Sequence, residues 1–226
     1  MIMDSFLRAL RRFIAKRIIF SLEEKKKNKD EDKQKNITKN SIDNKEENIE
    51  KRPIVDYNSI NVNNIDETID FIIKNNVIYN EEEMKEKLNN IKFKGYMKDL
   101  FNNRINELYN KQIIFNLKSI AYENTTMAPG AVISKFGYLV IRTTCGGNAI
   151  CINLNSSTTN PEVYFADHSI FCDKESKFKV DGKNTYCELT EDILKQNINI
   201  IYDSLENFIN DVENNKIDVD DYDLKF

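Results

Sequence analysis

The spacing of apolar and polar residues divides the 226-residue chain into three regions. Residues 1–22 repeat apolar positions at helical spacing, residues 23–52 are almost entirely polar, and residues 53–226 carry apolar patterns of several kinds. Because a folded core needs many apolar residues, the sequence predicts one domain behind an N-terminal helix and a linker.

The first region has the pattern of a basic amphipathic helix. Apolar side chains recur three or four residues apart, and basic side chains take the other side. The apolar positions are Phe6, Leu10, Phe13 and Ile14, and the basic ones are Arg8, Arg11, Arg12 and Lys16. Such a helix can lie on an anionic membrane surface or dock into a partner's groove, and it can also pack on its own domain. The sequence leaves these alternatives open.

The second region is a mixed-charge run in which only Ile37, Ile42 and Ile49 are apolar. Three such side chains bury too little surface to offset the entropy lost when the segment becomes ordered. Residues 23–52 are therefore predicted to be a disordered or transiently helical linker.

The first part of the domain shows three helical patterns. Asn80 stands three residues before Glu83, the spacing of a capping box at the start of the second pattern, and the third covers residues 95–111. Residues 112–126 fit a helix and a strand equally well. The first pattern places on one face Ile65, Ile69, Ile72 and Ile73.

From residue 138 onward the apolar runs become short and rich in β-branched or aromatic residues, which is typical of strands. A closing helix with Ser204 as its cap follows them, and an acidic tail from about residue 213 is predicted to be loose. The fold class is therefore α+β: a mostly antiparallel sheet with a strand meander, flanked by helices. The predicted strands cover 138–143, 149–154, 163–166 and 197–202.

The net charge of −4 is unevenly distributed along the chain. Fifteen basic and 10 acidic residues precede Pro53, which leaves 18 basic and 27 acidic residues from there on, a net charge of −9. An acidic domain argues against nucleic-acid binding, because phosphates are neutralised by clustered Lys and Arg. It suits a basic protein partner, and it also serves simply to keep a domain in solution.

The cysteines and the single histidine indicate neither a metal site nor a disulfide framework. No CxxC pair occurs among Cys145, Cys151, Cys172 and Cys187. The single His168 cannot complete a Cys/His zinc site with them at a recognisable spacing. The N-terminus shows no secretory signal, and no stretch has the roughly 18 apolar residues that span a membrane. These features predict a cytoplasmic protein with buried thiols and no cofactor.

The glycine pair Gly146-Gly147 raises the question of a phosphate-binding loop. The surrounding CGGNAI has neither a third glycine nor a lysine, and a predicted strand follows it where a nucleotide-binding loop would require a helix. The pair fits a tight hairpin turn, where glycine adopts a positive φ without steric cost.

The stretch FGYLVIRTTCGGNAICINL with the following PEVYFADH resembles the SUKH superfamily, immunity proteins related to yeast cell-wall synthesis regulators. The late SLENFI is similar to the closing helix of that family, so the resemblance covers roughly residues 130–212. The positions that carry it are Gly137, Leu139, Ile141, Gly146, Gly147, Ile150, Val163, Tyr164, Asp167 and His168. The N-terminal helix and linker depart from the family.

The resemblance implies an α+β binding domain, and in many bacterial members an immunity protein that neutralises a toxin by direct binding. An interface would hold an aromatic anchor within a polar rim. Candidate partner-binding residues, chosen by charge and position, are Glu162, Asp167, Asp173 and Glu175. The alternative is a membrane-peripheral or scaffold protein attached through its N-terminal helix.

Catalysis is not expected from this sequence. A dyad of Asp167 and His168 is disfavoured, because neighbours on a strand point to opposite faces, and at a strand end they satisfy turn backbone groups instead. Cys145 has no neighbouring cation in sequence to lower its pKa. The tail's DVDDYD lacks the glycine and closing glutamate of a calcium loop. The chain is therefore predicted not to be an enzyme.

Overall fold

The computed structural model describes residues 54–89, 91–171, 177–179 and 186–225, with the backbone alone given for 177–179 and 186–188. The predicted N-terminal helix and the predicted linker lie outside the described residues.

The chain order of the elements is helices, then strands, then a mixed C-terminal part. The helices are α1 (Ile65–Asn75), α2 (Glu81–Leu88), α3 (Gly95–Asp99), α4 (Ile105–Asn110), α5 (Leu117–Thr126), α6 (Gly130–Ile133), α7 (Glu191–Asn197) and α8 (Leu205–Glu213). The strands are β1 (Tyr138–Thr143), β2 (Ala149–Asn153), β3 (Val163–Ala166), β4 (Lys177–Lys179), β5 (Tyr186–Glu188) and β6 (Ile198–Tyr202). A π-helical turn (Leu100–Arg104) joins α3 to α4, and 3₁₀ helices cover Tyr57–Ser59, Ser134–Phe136 and Val219–Leu224.

Side-chain caps start the helices where the sequence predicts them. The capping box is present at α2, where the Asn80 side chain accepts from Glu83 N and the Glu83 carboxylate accepts from Asn80 N. Ser204 caps α8. Within the ambiguous segment 112–126, the residues Leu117–Thr126 form helix α5, and Asn116 caps it by accepting from the N–H of Ser119.

Four strands form an antiparallel sheet in the order β1-β2-β3-β6, and β4 pairs with β5 in a separate hairpin. Consecutive strands β1, β2 and β3 are neighbours, so they form the predicted meander. The α+β fold class is confirmed. The hairpin β4–β5 and helix α7 were not predicted.

The sheet is covered on both faces, since alternate residues of its strands enter two different cores. One face packs against most of the helices, including α1 and α8, and the other packs against α6, the 3₁₀ helix after it and α7. The strand residues of the first face are Leu139, Ile141, Ile150, Ile152, Val163 and Phe165, and those of the second are Tyr138, Val140, Ala149, Cys151, Tyr164, Ala166 and Ile198.

The acidic tail after α8 differs from the expected loose segment. Val219 and Tyr222 lie three residues apart, so they share one side of a 3₁₀ helix, which has three residues per turn. Only 2 % of Val219 and 6 % of Tyr222 is exposed, and both belong to the first core. The composition suggested a solvated tail because its carboxylates outnumber these two anchors.

No helix among the described residues has the length and apolar character needed to cross a membrane.

Candidate functional site

The turn between β1 and β2 spans residues 144–148 and holds the glycine pair. Its own backbone bonds fix its shape: Thr144 N donates to the carbonyl oxygen of Asn148 at 2.8 Å, and Gly147 N donates to that of Thr144 at 3.0 Å. Asn148 N donates to Thr144 Oγ1 at 3.1 Å. These three bonds leave the other two N–H groups of the turn to acceptors from elsewhere in the chain.

The first of those acceptors is the carboxylate of Asp223. Gly146 N donates to Asp223 Oδ2 at 2.7 Å. The other oxygen, Oδ1, accepts from Thr144 Oγ1 at 2.5 Å and from Asn148 Nδ2 at 2.8 Å. The turn therefore does bind an anion, and that anion is a carboxylate of the chain's own tail.

The second acceptor is Asp220, which binds both polar groups of Cys145. Cys145 N donates to Asp220 Oδ1 and Cys145 Sγ donates to Asp220 Oδ2, each at 2.9 Å. Partial burial of the thiol, and then its hydrogen bond to Asp220, raise the pKa of Cys145 to about 11. Cys145 is thus a protonated donor at neutral pH rather than a nucleophilic thiolate. The expectation of a buried thiol is wrong for Cys145, which is exposed, and holds for Cys151.

The two glycines of the turn serve different purposes. Gly147 has a φ of +88°, a left-handed conformation that other residues adopt only with strain. At Gly146 the need is space, because a Cβ atom there would lie 2.6 Å from Asp223 Oδ2. The predicted hairpin turn is confirmed, but the conformational reason expected for both glycines applies to Gly147 alone.

Asp167 and His168 lie in the loop after β3, beside this turn. His168 N and His168 Nδ1 both contact Asn148 Oδ1, at 3.0 and 2.9 Å, so the ring bonds as the Nδ1–H tautomer. Asp167 Oδ1 accepts from Ser169 N at 2.8 Å and lies 3.8 Å from His168 Nδ1, which is too far for a hydrogen bond. Asp167 satisfies a backbone group of the turn, as the sequence predicts, whereas the His168 ring bonds the side chain of Asn148 instead of a backbone group.

The candidate partner-binding residues do not form one patch. Glu162 precedes β3 and accepts from Tyr164 Oη at 2.6 Å, whereas Asp167 follows the strand. Four strand residues between them span about 13 Å. Asp173 and Glu175 lie outside the described residues, so of this set only Asp167 is placed beside the turn.

The positions that carry the family resemblance fall into a structural group and a loop group. The turn and the loop after β3 bring together Gly146, Gly147, Asp167 and His168, whereas Gly137 ends a 3₁₀ helix with a φ of +83°. The buried strand positions are Leu139, Ile141, Ile150, Val163 and Tyr164.

Sequence reasoning missed four residues of the site, namely Thr144, Asn148, Asp220 and Asp223. The tail offered one usable signal, since Val219 and Tyr222 alternate with carboxylates at the spacing of a 3₁₀ helix. No group of three or more His, Cys, Asp or Glu side chains suited to a metal ion occurs in the described ranges.

Alanine at the two glycines should give separable results. Gly147→Ala is expected to lower the free energy of unfolding by about 1–2 kcal/mol through backbone strain, with the tail still docked. Gly146→Ala is expected to expel Asp223 and to expose the tail to trypsin at Lys216. Thermal denaturation and limited proteolysis measure the two effects, and a Gly146→Ala chain whose tail stays as protected as that of the wild type would contradict the assignment.

Comparisons of the chain with models of protein families, with curated proteins and with solved structures found no match. Function is therefore argued from the residues and contacts described above.

Proposed function

We propose that this chain is a non-enzymatic protein-binding domain of SUKH type, and that it is an immunity protein which neutralises a basic toxin by direct binding. The observation that carries the proposal is the acidic surface at the turn end of the sheet. The order of motifs from Gly137 to His168, which resembles that superfamily, supplies the specific role.

The acidic surface is built by the tail on the turn. Asp218 and Asp221 are exposed, Asp220 and Asp223 are half-buried against the turn, and Asp167 lies in the adjoining loop. Because the turn holds Asp220 and Asp223, this part of the charge occupies fixed positions. Carboxylates at fixed positions favour the approach of a basic protein and reject acidic ones.

Binding is favoured over catalysis by the state of the polar groups at this surface. The raised pKa of Cys145 keeps its thiol protonated. The Nδ1 atom of His168 is hydrogen-bonded to Asn148, and not to a nucleophile. These groups hold the loops in place, which is what a rigid recognition surface requires.

The test of this proposal is co-expression of the full-length chain with toxin domains encoded beside its gene. We expect one basic domain to co-purify with the chain and to lose its toxicity. The association rate should fall steeply with salt, and Asp167→Lys should slow it about tenfold. The matched control is Asp70→Lys on an exposed turn of α1, which changes the net charge equally. Equal effects of the two variants, or salt-independent binding, would contradict an interface at the turn end.

The basic amphipathic pattern of residues 1–22 favours a second candidate function, attachment to a membrane or scaffold through that segment. Phe13→Glu in the full-length chain separates the two functions. Loss of co-sedimentation with anionic vesicles, while toxin neutralisation is retained, would limit the segment to attachment. If the full-length chain binds no toxin and Phe13→Glu abolishes its biological effect, the scaffold function is favoured.

A further inference from the structure

The tail is attached to the domain in the manner of a bound peptide. Its contacts with the rest of the chain include the buried side chains of Val219 and Tyr222, Ile217 packed against the same core, and the two carboxylates on the turn. Within the part of the chain that the structure describes, the backbone hydrogen bonds between main-chain atoms of residues 215–225 stay inside residues 211–225. A segment without main-chain pairing to its support can leave without breaking a sheet or a helix of that support.

The backbone of the turn that receives the tail is held by hydrogen bonds within the turn itself. Its three internal hydrogen bonds fix the backbone, and His168 braces Asn148 from the neighbouring loop. The turn directs to the tail the N–H groups of Cys145 and Gly146, the thiol of Cys145, and the side-chain donors of Thr144 and Asn148. Two adjacent N–H groups aimed at one side of a loop make an anion-binding concavity.

Beside these donors, Phe165 offers an apolar surface on which an aromatic ring can pack. Tyr222 packs with its ring centroid 6.4 Å from that of Phe165. Lys225, which belongs to the tail, lies with Nζ 4.9 Å from the centroid of the Tyr222 ring. The carboxylates of Asp220 and Asp223 flank the tyrosine in sequence, so the ring and both carboxylates reach their contacts from one short 3₁₀ helix.

We propose that the 144–148 turn and the apolar surface at Phe165 beside it form a recognition site for a short acidic peptide. The motif read by the site is an aromatic residue between two aspartates, as in the tail's own Asp-Asp-Tyr-Asp. The tail is the resident occupant of this site, and an acidic peptide of a partner binds when it displaces the tail. This site takes an acidic ligand, whereas the partner proposed above is basic and meets the surface that the docked tail forms, so displacement of the tail would remove the tail's carboxylates from that surface.

The carboxylate contacts make the site selective for aspartate over asparagine. Both oxygens of Asp223 accept hydrogen bonds, one from Gly146 N and the other from Thr144 and Asn148. An asparagine would turn its NH₂ group toward a donor on one of these sides. Since hydrogen bonds to a charged group are stronger than those to a neutral one, we expect the loss to weaken docking at least about tenfold.

The experiment uses the full-length chain and a fluorescent synthetic peptide with the sequence of residues 216–225. Asp223→Asn in the chain should release the tail, so that trypsin cleaves faster after Lys216 and the peptide binds at least tenfold more tightly than to the wild type. Asp221→Asn is the matched control, because it removes the same charge from an exposed side chain of the same segment. It should behave as the wild type does.

Three results would overturn the proposal: a tail that is not released by Asp223→Asn, a released chain that does not bind the peptide, or equal binding to the Asp221→Asn chain.

A peptide with asparagine in place of both Asp220 and Asp223 should bind at least tenfold more weakly than the unmodified peptide. Tyr222→Ala in the chain, which frees the site from its apolar side, should open it to the peptide as well. Amide chemical shifts of Cys145 and Gly146 report occupancy directly. None of these readouts involves a toxin, so they fail or succeed separately from neutralisation.

Discussion

Replacing Asn76 by alanine is expected to lower the free energy of unfolding by about 3–5 kcal/mol, because several buried hydrogen bonds depend on this one side chain. Asn76 follows α1 and is 0 % exposed. Its Oδ1 accepts from the N–H groups of Ile78 and Tyr79, both at 2.9 Å. Alanine leaves those two donors without this acceptor in a site that has little access to water.

The amide nitrogen of Asn76 connects the end of α1 to α5 and α6. Nδ2 lies 3.1 Å from the carbonyl oxygen of Asn124, 2.9 Å from that of Ala131 and 3.2 Å from Ser134 Oγ. Asn124 in turn donates from Nδ2 to the carbonyl oxygen of Val140 on β1 and accepts from its N–H, both at 2.9 Å. The two asparagines thus tie the helical layer to the β1 edge of the sheet.

Urea denaturation of Asn76→Ala and Asn75→Ala measures this effect against a matched control. Asn75 is the preceding residue, and its Nδ2 donates along its own helix, to the carbonyl oxygen of Phe71. We expect the control to change the free energy of unfolding by less than about 1 kcal/mol. An Asn76→Ala chain that does not fold while the control does would count as the large effect, and equal losses in both would contradict it.

Local signals in the sequence predicted most of the fold. Asn80, Glu83 and Ser204 act on helix N–H groups two or three residues away, so their roles can be read from spacing alone. The strands were predicted because β-branched and aromatic runs lie between turn residues. Residues 112–126 stayed ambiguous because their apolar spacing fits both periods, although Asn116 in fact caps a helix there.

The parts that were not predicted depend on contacts between residues far apart in sequence. Gly146 meets Asp223 across 77 positions, and Asn76 meets Asn124 across 48. Neither pair leaves a local pattern, since aspartates in a tail and asparagines in an Asn-rich chain look like solvated residues. The sequence located the turn, but only the packed tail shows which anion the turn binds.

Charge in the interior is the other feature that sequence spacing did not reveal, and Glu123 on α5 is the clearest case. Burial raises the pKa of the Glu123 carboxyl from its usual 4.5 to about 7. The unfolded chain loses this proton near pH 4.5, whereas the folded chain keeps it until about pH 7. Folding is therefore penalised increasingly as pH rises through this window, and the penalty is complete above pH 7.

Glu123→Gln is expected to stabilise the chain at pH 8 and to leave its stability almost unchanged at pH 4.5. A shift of this size corresponds to at most about 3 kcal/mol, and to less where water reaches the half-buried carboxylate. The amide keeps the shape of the side chain but has no charge to bury. Urea denaturation at several pH values measures the difference, and Glu86→Gln at an exposed position of α2 accounts for the change in net charge. A difference between Glu123→Gln and wild type that is the same at pH 5 and pH 8 would show that ionisation of Glu123 is not its cause.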